Sequence, residues 1–276
     1  MRPRKRFGQH FLVSDWAQKV VEAIAPQPAD RFVEIGPGPG ALTLRLAPKV
    51  SQVTAIEIDR DLAGDLRRIV PPNVDVVTGD ILQADLTGYA TGGPLRIAGN
   101  LPYNISTPIL FMLLAAGKHG QPAPPGAHAW PPFLDAALML QREVADRLAA
   151  STGTKDYGVL TILTAAGADV TPLLTLPPGA FRPAPKVHSA LVRLTFVPSR
   201  VPAGLTSMFE RLVRVLFMQR RKTVGNALRP FAAEAGVDPA RALEAAAIDP
   251  RLRPENLDLE SLLRLAACVS SLKSEA

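Results

Sequence analysis

The chain has 276 residues, 47% of them hydrophobic, so it can bury a large core as one domain or as a main domain with a small appendage. Its 31 Lys and Arg residues outnumber its 25 Asp and Glu residues, and the net charge of +6 favours an anionic partner such as nucleic acid. A single cysteine, Cys268, excludes an intrachain disulfide and a thiolate metal cluster, and no apolar run approaches the length of a membrane span. We therefore expect a cytoplasmic, monomeric protein without a metal site.

Strands and helices alternate along most of the chain. Apolar spacing predicts strands at residues 31–35, 53–58, 74–77, 95–98, 136–140, 169–174 and 190–196. It predicts helices at residues 16–24, 41–47, 62–69, 109–114, 143–149 and 157–166. This alternation is typical of an α/β fold with a mostly parallel sheet of about seven strands.

The pattern changes after the last predicted strand. From Val201 onward the chain is rich in Ala, Leu and Arg and has no strand signal, but it has helical spacing at 209–218 and 258–269. We therefore predict a catalytic domain at 1–197 and a small all-helical domain at 198–276.

A glycine-rich turn follows the first strand of the predicted sheet. Gly36, Gly38 and Gly40 allow positive φ and close approach of a ligand to the backbone, and the following helix offers free N–H groups. Gly36, Gly38 and Ala41 also satisfy the dinucleotide fingerprint, so a nicotinamide enzyme is an alternative at this point.

Acidic residues stand at the ends of the next two strands. Glu57 lies where a Rossmann-like pocket has a carboxylate that binds both ribose hydroxyls, and Asp80 is placed to accept from an adenine amine. The alternative is that both residues only cap the helices that follow. Because ligands bind at the carboxyl ends of parallel strands, the shared position of these residues favours a nucleoside-containing cofactor.

The fourth strand ends in a loop with unusual chemistry. Asn100, Leu101, Pro102 and Tyr103 place an amide, two backbone carbonyls and an aromatic ring in a row. An exocyclic base amine is a poor nucleophile, so a catalyst must hold its hydrogens with acceptors and direct its lone pair at an electrophilic methyl group. Tyr103 offers a stacking face for an extruded base. The loop predicts an S-adenosylmethionine-dependent methyltransferase of base amines; a plain turn with a packed tyrosine is the alternative.

A second aromatic residue, Phe181, is a candidate to close the base from the other side. It lies in a proline-rich loop with Arg182 and Lys186, whose charges suit phosphate. The alternative is that Phe181 is simply a core residue.

Taken together, these segments resemble the small-subunit ribosomal RNA adenine dimethyltransferases. The strings that carry the resemblance are RKRFGQHFL (4–12), VEIGPGPGALT (33–43), IEIDRDL (56–62), GD (79–80), GNLPYNIS (99–106), LMLQREVADRL (138–148), KDYGVL (155–160), FRPAPKVHSALVRL (181–194) and QRRKTVGNAL (219–228). The resemblance implies a Rossmann-like methyltransferase fold and dimethylation of two adjacent adenines near the 3′ end of the small-subunit RNA. It also implies a role in ribosome assembly, with the small ribosomal subunit as partner.

The same resemblance implies which residues contact S-adenosylmethionine. These are His10, Leu12, Gly36, Glu57, Asp80 and Asn100, with Gly38 added from the glycine turn. The family usually has Asn where this chain has His10, and an imidazole can also donate or accept a hydrogen bond. The segment 117–132 is longer and richer in proline than is usual in the family.

Two basic clusters are candidates for contact with RNA phosphates. The first contains Arg4, Lys5 and Arg6 and the second Arg220, Arg221 and Lys222. The alternative for each cluster is a solvated surface.

Three alternatives in function stay open on the sequence. A large-subunit RNA methyltransferase of the antibiotic-resistance type shares the Asn100–Tyr103 loop type, although the glycine turn and the 219–223 segment disfavour it. A non-catalytic assembly factor would keep the same fold. A nicotinamide dehydrogenase leaves the Asn100–Tyr103 loop and the basic clusters unexplained.

Overall fold

The computed structural model describes residues 9–117 and 133–275. Its strands are β1 (Phe11–Leu12), β2 (Arg31–Ile35), β3 (Gln52–Glu57), β4 (Val74–Thr78), β5 (Leu95–Asn100), β6 (Phe133–Gln141), β7 (Ala168–Leu176), β8 (Phe181–Arg182) and β9 (Ser189–Phe196). Its α-helices are α1 (Ser14–Ile24), α2 (Thr43–Leu46), α3 (Arg60–Arg67), α4 (Ser106–Gly117), α5 (Arg142–Leu148), α6 (Val159–Ala165), α7 (Thr206–Met218), α8 (Val224–Ala227), α9 (Arg229–Ala235), α10 (Pro239–Ala245) and α11 (Leu259–Glu275).

Seven of these strands form one sheet in the order β4-β3-β2-β5-β6-β9-β7. The pairs from β4 through β6 are parallel, whereas β9 runs antiparallel to both β6 and β7. The chain goes from β2 to β3 and β4 on one side and returns to β5 and β6 on the other, so the strand order reverses at β2. A ligand crevice is expected outside the carboxyl ends of the strands at such a reversal. The predicted sheet of about seven mostly parallel strands is confirmed.

Helix α1 shows how the local sequence sets an element. Its buried residues Ala17, Val20, Val21 and Ile24 recur at the spacing of one helical face. The helix ends at Ala25, which adopts the left-handed conformation with φ 50° immediately before a proline.

A second, very short sheet was not predicted. Strand β1 pairs antiparallel with β8, with Phe11 opposite Arg182 and Leu12 opposite Phe181. The pair brings the segment before α1 next to the proline-rich loop, and both segments contribute to the site described below.

The chain divides into two compact units. The described parts of residues 1–145 and 168–198 form the first unit, which contains both sheets, and residues 146–167 and 199–275 form the second. One division falls close to the predicted boundary at residue 198, whereas residues 146–167, which the prediction includes in the domain 1–197, lie in the second unit. Tyr157 gives the physical reason, because its buried hydroxyl donates to the Leu257 carbonyl at 2.9 Å and its ring packs on Phe217.

The second unit is helical. Helix α7 buries Phe209, Leu212, Val213 and Leu216 on one face. Throughout the described residues, no helix is both long enough and apolar enough to cross a membrane.

Candidate active site

The glycine turn after β2 has the backbone conformations that the sequence suggested. Gly36, Gly38 and Gly40 have φ values of 65°, 56° and 88°. A side chain at Gly38 would also approach the Phe11 ring to 3.1 Å. The turn therefore needs glycine for its conformation at all three positions and for space at Gly38.

Glu57 ends β3 and organises this turn. It is 4% exposed, and its two carboxylate oxygens accept hydrogen bonds from the backbone N–H groups of Gly38 and Asp59, each at 2.9 Å. Burial raises the pKa of Glu57, whereas these two hydrogen bonds oppose the rise. The cap of α3 is Asp59, whose side chain accepts from the Asp61 N–H. Helix capping is therefore not the role of Glu57.

Asp80 lies just after β4, at the same edge of the sheet. Its Oδ1 accepts from the Leu82 N–H at 3.0 Å and so caps the short 3-10 turn Ile81–Gln83. Within the described residues Oδ2 has no hydrogen-bond partner, and the side chain lines the cavity described below. Asp80 therefore caps this turn and keeps one carboxylate oxygen without a partner among the described residues.

The amide of Asn100 has a fixed orientation. Asn100 ends β5, and its Nδ2 donates to the backbone carbonyl of His10 at 2.7 Å. Because a carbonyl only accepts hydrogen bonds, this contact assigns the nitrogen to that side and leaves Oδ1 as the acceptor on the other. No described residue donates to Oδ1.

The two carbonyls after Asn100 differ in their contacts. The Pro102 carbonyl accepts from the Ile105 N–H at 3.1 Å, whereas no described residue donates to the Leu101 carbonyl. The Leu101 side chain is buried and its N–H bonds to the Met139 carbonyl at 3.2 Å, so the backbone is held firmly here. Of the two predicted acceptors, the Leu101 carbonyl is the freer one.

Tyr103 is held by three contacts. Its hydroxyl lies 2.7 Å from Ser189 Oγ, its carbonyl accepts from Ser106 Oγ, and its ring stacks on the imidazole of His10 with centroids 5.7 Å apart. Burial raises the pKa of the Tyr103 hydroxyl, which is therefore a neutral hydrogen-bonding group. His10 is fixed in turn, because its Nδ1 lies 2.7 Å from the Pro183 carbonyl and must donate to it.

These residues meet around one cavity, whose empty space together with its open mouth is about 730 Å³. The predicted site residues that line it are His10, Gly36, Gly38, Glu57, Asp80, Asn100, Leu101, Pro102 and Tyr103. Apolar walls complete it, including Ile35, Ile56 and Ile81.

Leu12 and Phe181 do not line this cavity. Phe181 is fully buried, Leu12 is 7% exposed, and both belong to the hydrophobic core beneath the β1–β8 pair. The core alternative describes the position of Phe181, and its role as a stacking aromatic stays a prediction. The ring that faces Tyr103 is that of His10.

The cavity suits S-adenosylmethionine by the chemistry of its lining. Glu57 and Asp80 would hold a bound cofactor by accepting from its ribose hydroxyls and adenine amine, and the glycine turn would let it approach the backbone. When bound, the cofactor supplies an electrophilic methyl group on a sulfonium sulfur. Among the residues described, no cluster of His, Cys, Asp and Glu is arranged to hold a metal ion.

Glu34 is a buried acid that the motifs in the sequence do not single out. It lies in β2 directly before the glycine turn, is 1% exposed, and its Oε2 has no hydrogen-bond partner among the described residues. Burial raises its pKa to about 7, and the charge of Glu57 adds to the rise. The only signal in the sequence was an acidic residue inside an otherwise apolar strand.

The predicted RNA-binding residues have different surroundings. Lys186, Arg221 and Lys222 are exposed. Arg220 instead donates to Glu255 at 2.6 Å and to the carbonyls of Thr154 and Lys155, so its guanidinium ties parts of the helical unit together. Arg4, Lys5, Arg6 and most of the segment 117–132 lie outside the described residues.

Comparison with known proteins decides the family. A sequence model of the family described as ribosomal RNA adenine dimethylase matches residues 1–267. The chain belongs to this family. As a ribosomal RNA adenine dimethylase it is 42% identical over 269 residues to the ribosomal RNA small subunit methyltransferase A of Acidithiobacillus ferrooxidans, covering 96% of this chain and 94% of the relative. It is 43% identical to the protein of the same name from Xanthomonas campestris pv. campestris, covering 95% of each chain.

Solved structures of similar proteins share the fold of this dimethylase. A dimethyladenosine transferase from Plasmodium falciparum superposes with a TM-score of 0.73 at 25% identity, over 93% of this chain and 96% of the other. The 23S rRNA methyltransferase ErmE superposes with a TM-score of 0.69 at 26% identity, over 94% and 99%. The predicted family, methyltransferase fold and methyl donor are thereby confirmed, and the dinucleotide-dependent alternative is excluded.

Proposed function

We propose that this dimethylase transfers methyl groups from S-adenosylmethionine to the exocyclic amines of two adjacent adenines in the 3′-terminal hairpin loop of small-subunit ribosomal RNA. The observation that carries the proposal is the fixed amide of Asn100. Its Nδ2 is occupied by the His10 carbonyl, so Oδ1 is left as the acceptor of a residue that lines the cavity.

The arrangement suits an amine nucleophile. An adenine amine has two hydrogens and a lone pair delocalised into the ring. Asn100 Oδ1 and the Leu101 carbonyl are acceptors for the two hydrogens, and holding both favours a pyramidal nitrogen with its lone pair directed at the methyl group. The product loses a proton readily because a methylated ammonium on an adenine ring is acidic, so no strong base is required.

Tyr103 supplies the surface for the base itself. Its ring lines the cavity beside Asn100, and an adenine taken out of its RNA helix can stack on it. After the first transfer the amine retains one hydrogen and a lone pair, so one of the two acceptors can hold that hydrogen for a second transfer.

The small-subunit RNA is favoured over the large-subunit RNA. Curated relatives named for the small subunit are 42% and 43% identical to this chain, whereas ErmE, named for 23S rRNA, is 26% identical. We propose that the chain acts as a monomer in the cytoplasm during assembly of the small subunit. In this proposal Arg4, Lys5, Arg6, Lys186, Arg221 and Lys222 contact RNA phosphates.

One labelling experiment tests the proposed substrate. The protein and radiolabelled S-adenosylmethionine are incubated in three parallel reactions. The first contains small subunits that lack the modification, the second modified small subunits, and the third large subunits. We expect label only on unmodified small-subunit RNA. Label on large-subunit RNA would favour the antibiotic-resistance activity, and no label on any RNA would favour a non-catalytic assembly factor.

A further inference from the structure

Ser189 is a buried polar residue beside the active site. It is 1% exposed and stands first in β9, where it pairs with Gln141 of β6 on one side and Leu176 of β7 on the other. Because strands flank it on both sides, its backbone cannot shift without breaking two ladders of hydrogen bonds. Its backbone is therefore a fixed point in the structure, from which Oγ reaches Tyr103.

This fixed point holds the far end of Tyr103. The Tyr103 hydroxyl lies 2.7 Å from Ser189 Oγ, and the Tyr103 carbonyl accepts from Ser106 Oγ at 3.2 Å. The ring is thus held at both ends, once through its backbone at the start of α4 and once through its hydroxyl at the start of β9.

One face of the same ring is covered. The His10 imidazole stacks on it at an angle of 24°, and the Pro183 carbonyl fixes the imidazole through Nδ1 at 2.7 Å. Both His10 and Tyr103 line the cavity. A base that stacks on Tyr103 must therefore use the face opposite His10, and the tilt of that face depends on where Ser189 holds the hydroxyl.

We propose that Ser189 is a positioning residue for methyl transfer, which acts by fixing the plane of the Tyr103 ring against His10. The fixed ring plane then orients the stacked adenine so that its amine lies against Asn100 Oδ1 and the Leu101 carbonyl. The proposal rests on the proposed function and adds a residue to it. It also assigns a role to the proline-rich loop: its two ends supply the Pro183 carbonyl and Ser189.

The test compares Ser189→Ala with Ser189→Thr, which keeps a hydroxyl. Removing the hydroxyl is expected to lower the methyl-transfer rate at saturating substrates by about tenfold, because the reacting amine loses orientation. The KM for small subunits and the Kd for S-adenosylmethionine should change by less than about twofold, and Ser189→Thr should restore much of the rate. Thr195→Ala removes an exposed hydroxyl from the same strand and is expected to keep the full rate.

A double-variant cycle separates positioning from a general structural effect. Tyr103→Phe removes the same hydrogen bond from the other side, so Ser189→Ala combined with Tyr103→Phe should be no slower than the slower single variant. A purely structural role of Ser189 would instead make the two effects multiply.

The unaltered chain is first shown to methylate small subunits, which tests the proposed function by itself. The variants are then compared with it, so their results bear only on the role of Ser189. A full rate in Ser189→Ala, or effects that multiply in the double variant, overturns the proposal. If Ser189→Ala does not fold, Tyr103→Phe decides the question, because an unchanged rate in that variant also overturns it.

Discussion

At the residue scale, the site is built from side chains whose partners fix their orientation. Asn100 is oriented by the His10 carbonyl, Tyr103 by Ser189, and His10 by the Pro183 carbonyl. Each of these is a contact between residues far apart in the sequence. Spacing along the chain identified Asn100 and Tyr103 as reactive residues, but it contains no information on such partners.

Phe181 shows the limit of assigning a role from residue type. An aromatic residue in a loop beside cations suggested base stacking, whereas the fold pairs Phe181 with Leu12 and buries its ring. The deciding factor is the two-residue strand pair, which has no periodicity for a sequence to reveal.

The core position of Phe181 makes a prediction. Phe181→Leu should lower the free energy of unfolding by about 1 kcal/mol and leave the methyl-transfer rate within about twofold, because it removes packing and no substrate contact. Urea unfolding and methylation of small subunits measure the two quantities. A rate loss of a hundredfold in a folded variant would restore the stacking role.

Glu34 predicts a pH dependence of stability. Its pKa is raised from 4.5 in the unfolded chain to about 7 in the folded one. Below pH 4.5 the carboxyl is neutral in both states, and between 4.5 and 7 only the unfolded state loses the proton. The folded state is therefore increasingly disfavoured as pH rises through this window, by on the order of 3 kcal/mol above it.

Removing this charge is expected to abolish that part of the pH dependence. Glu34→Gln should gain stability relative to the unaltered chain as pH rises from 5 to 8, as measured by urea unfolding at each pH. Glu22→Gln, on the exposed face of α1, serves as the control and should show little change. An equal difference in stability at both pH values for Glu34→Gln would contradict the assignment.

At the element scale, the order of strands explains why the sequence predicted the site well. The glycine turn, Glu57, Asp80 and Asn100 stand at the carboxyl ends of four strands that lie side by side in the sheet. In parallel strands the carboxyl ends share one edge, so residues at these ends meet although they are far apart in the chain. The alternation of strand and helix was therefore enough to bring these residues together.

Other elements were not predicted because their cause is tertiary. Residues 146–167 have helical spacing and follow a strand, which favoured the catalytic domain. Their actual unit is set by Tyr157, which packs on Phe217 and bonds to Leu257, and by Arg220, which donates to the carbonyls of residues 154 and 155.

The glycine turn predicts a specific effect of adding a methyl group. Gly38→Ala places a Cβ 3.1 Å from Phe11 in a left-handed conformation, so it should lower the free energy of unfolding by about 1–2 kcal/mol and weaken S-adenosylmethionine binding. Thermal unfolding and calorimetric titration measure the two effects.

Gly64→Ala is the matched control. Gly64 lies in α3 with φ in the ordinary range and nothing within 4 Å of an added Cβ. This substitution should raise stability by about 0.5–1 kcal/mol and leave cofactor binding unchanged. Equal behaviour of the two variants would show that the turn does not require glycine at position 38.

At the scale of the whole molecule, charge and family together define the partner. A net charge of +6 favours an anionic ligand, but many proteins with other partners have a similar charge. Membership of the ribosomal RNA adenine dimethylase family is more specific, because it indicates ribosomal RNA as the substrate. The second basic cluster is divided by the structure into Arg220, which has protein partners, and Arg221 and Lys222, which are exposed.

Substitutions at these neighbouring residues are expected to affect different properties, RNA binding in one case and stability in the other. Arg221→Ala and Lys222→Ala should each weaken binding to small subunits and leave stability unchanged. Each should also reduce the slope of the logarithm of the binding constant against the logarithm of salt concentration by about one, which corresponds to one lost phosphate contact. Arg220→Ala should instead lower the unfolding temperature, because it leaves Glu255 without its ion-pair partner. Binding assays from 50 to 200 mM salt and thermal unfolding distinguish them. Loss of binding in Arg220→Ala without loss of stability would contradict this division.

The most direct measurement of the central claim locates the methyl groups at single-nucleotide resolution. Unmodified small subunits are treated with the unaltered chain or with Asn100→Ala, and the 3′-terminal RNA fragment is analysed by mass spectrometry. We expect dimethyladenosine at two adjacent positions with the unaltered chain, and a rate at least about a hundredfold lower with Asn100→Ala while S-adenosylmethionine still binds. Methyl groups on another base or on ring nitrogens, or a full rate without the Asn100 amide, would contradict it.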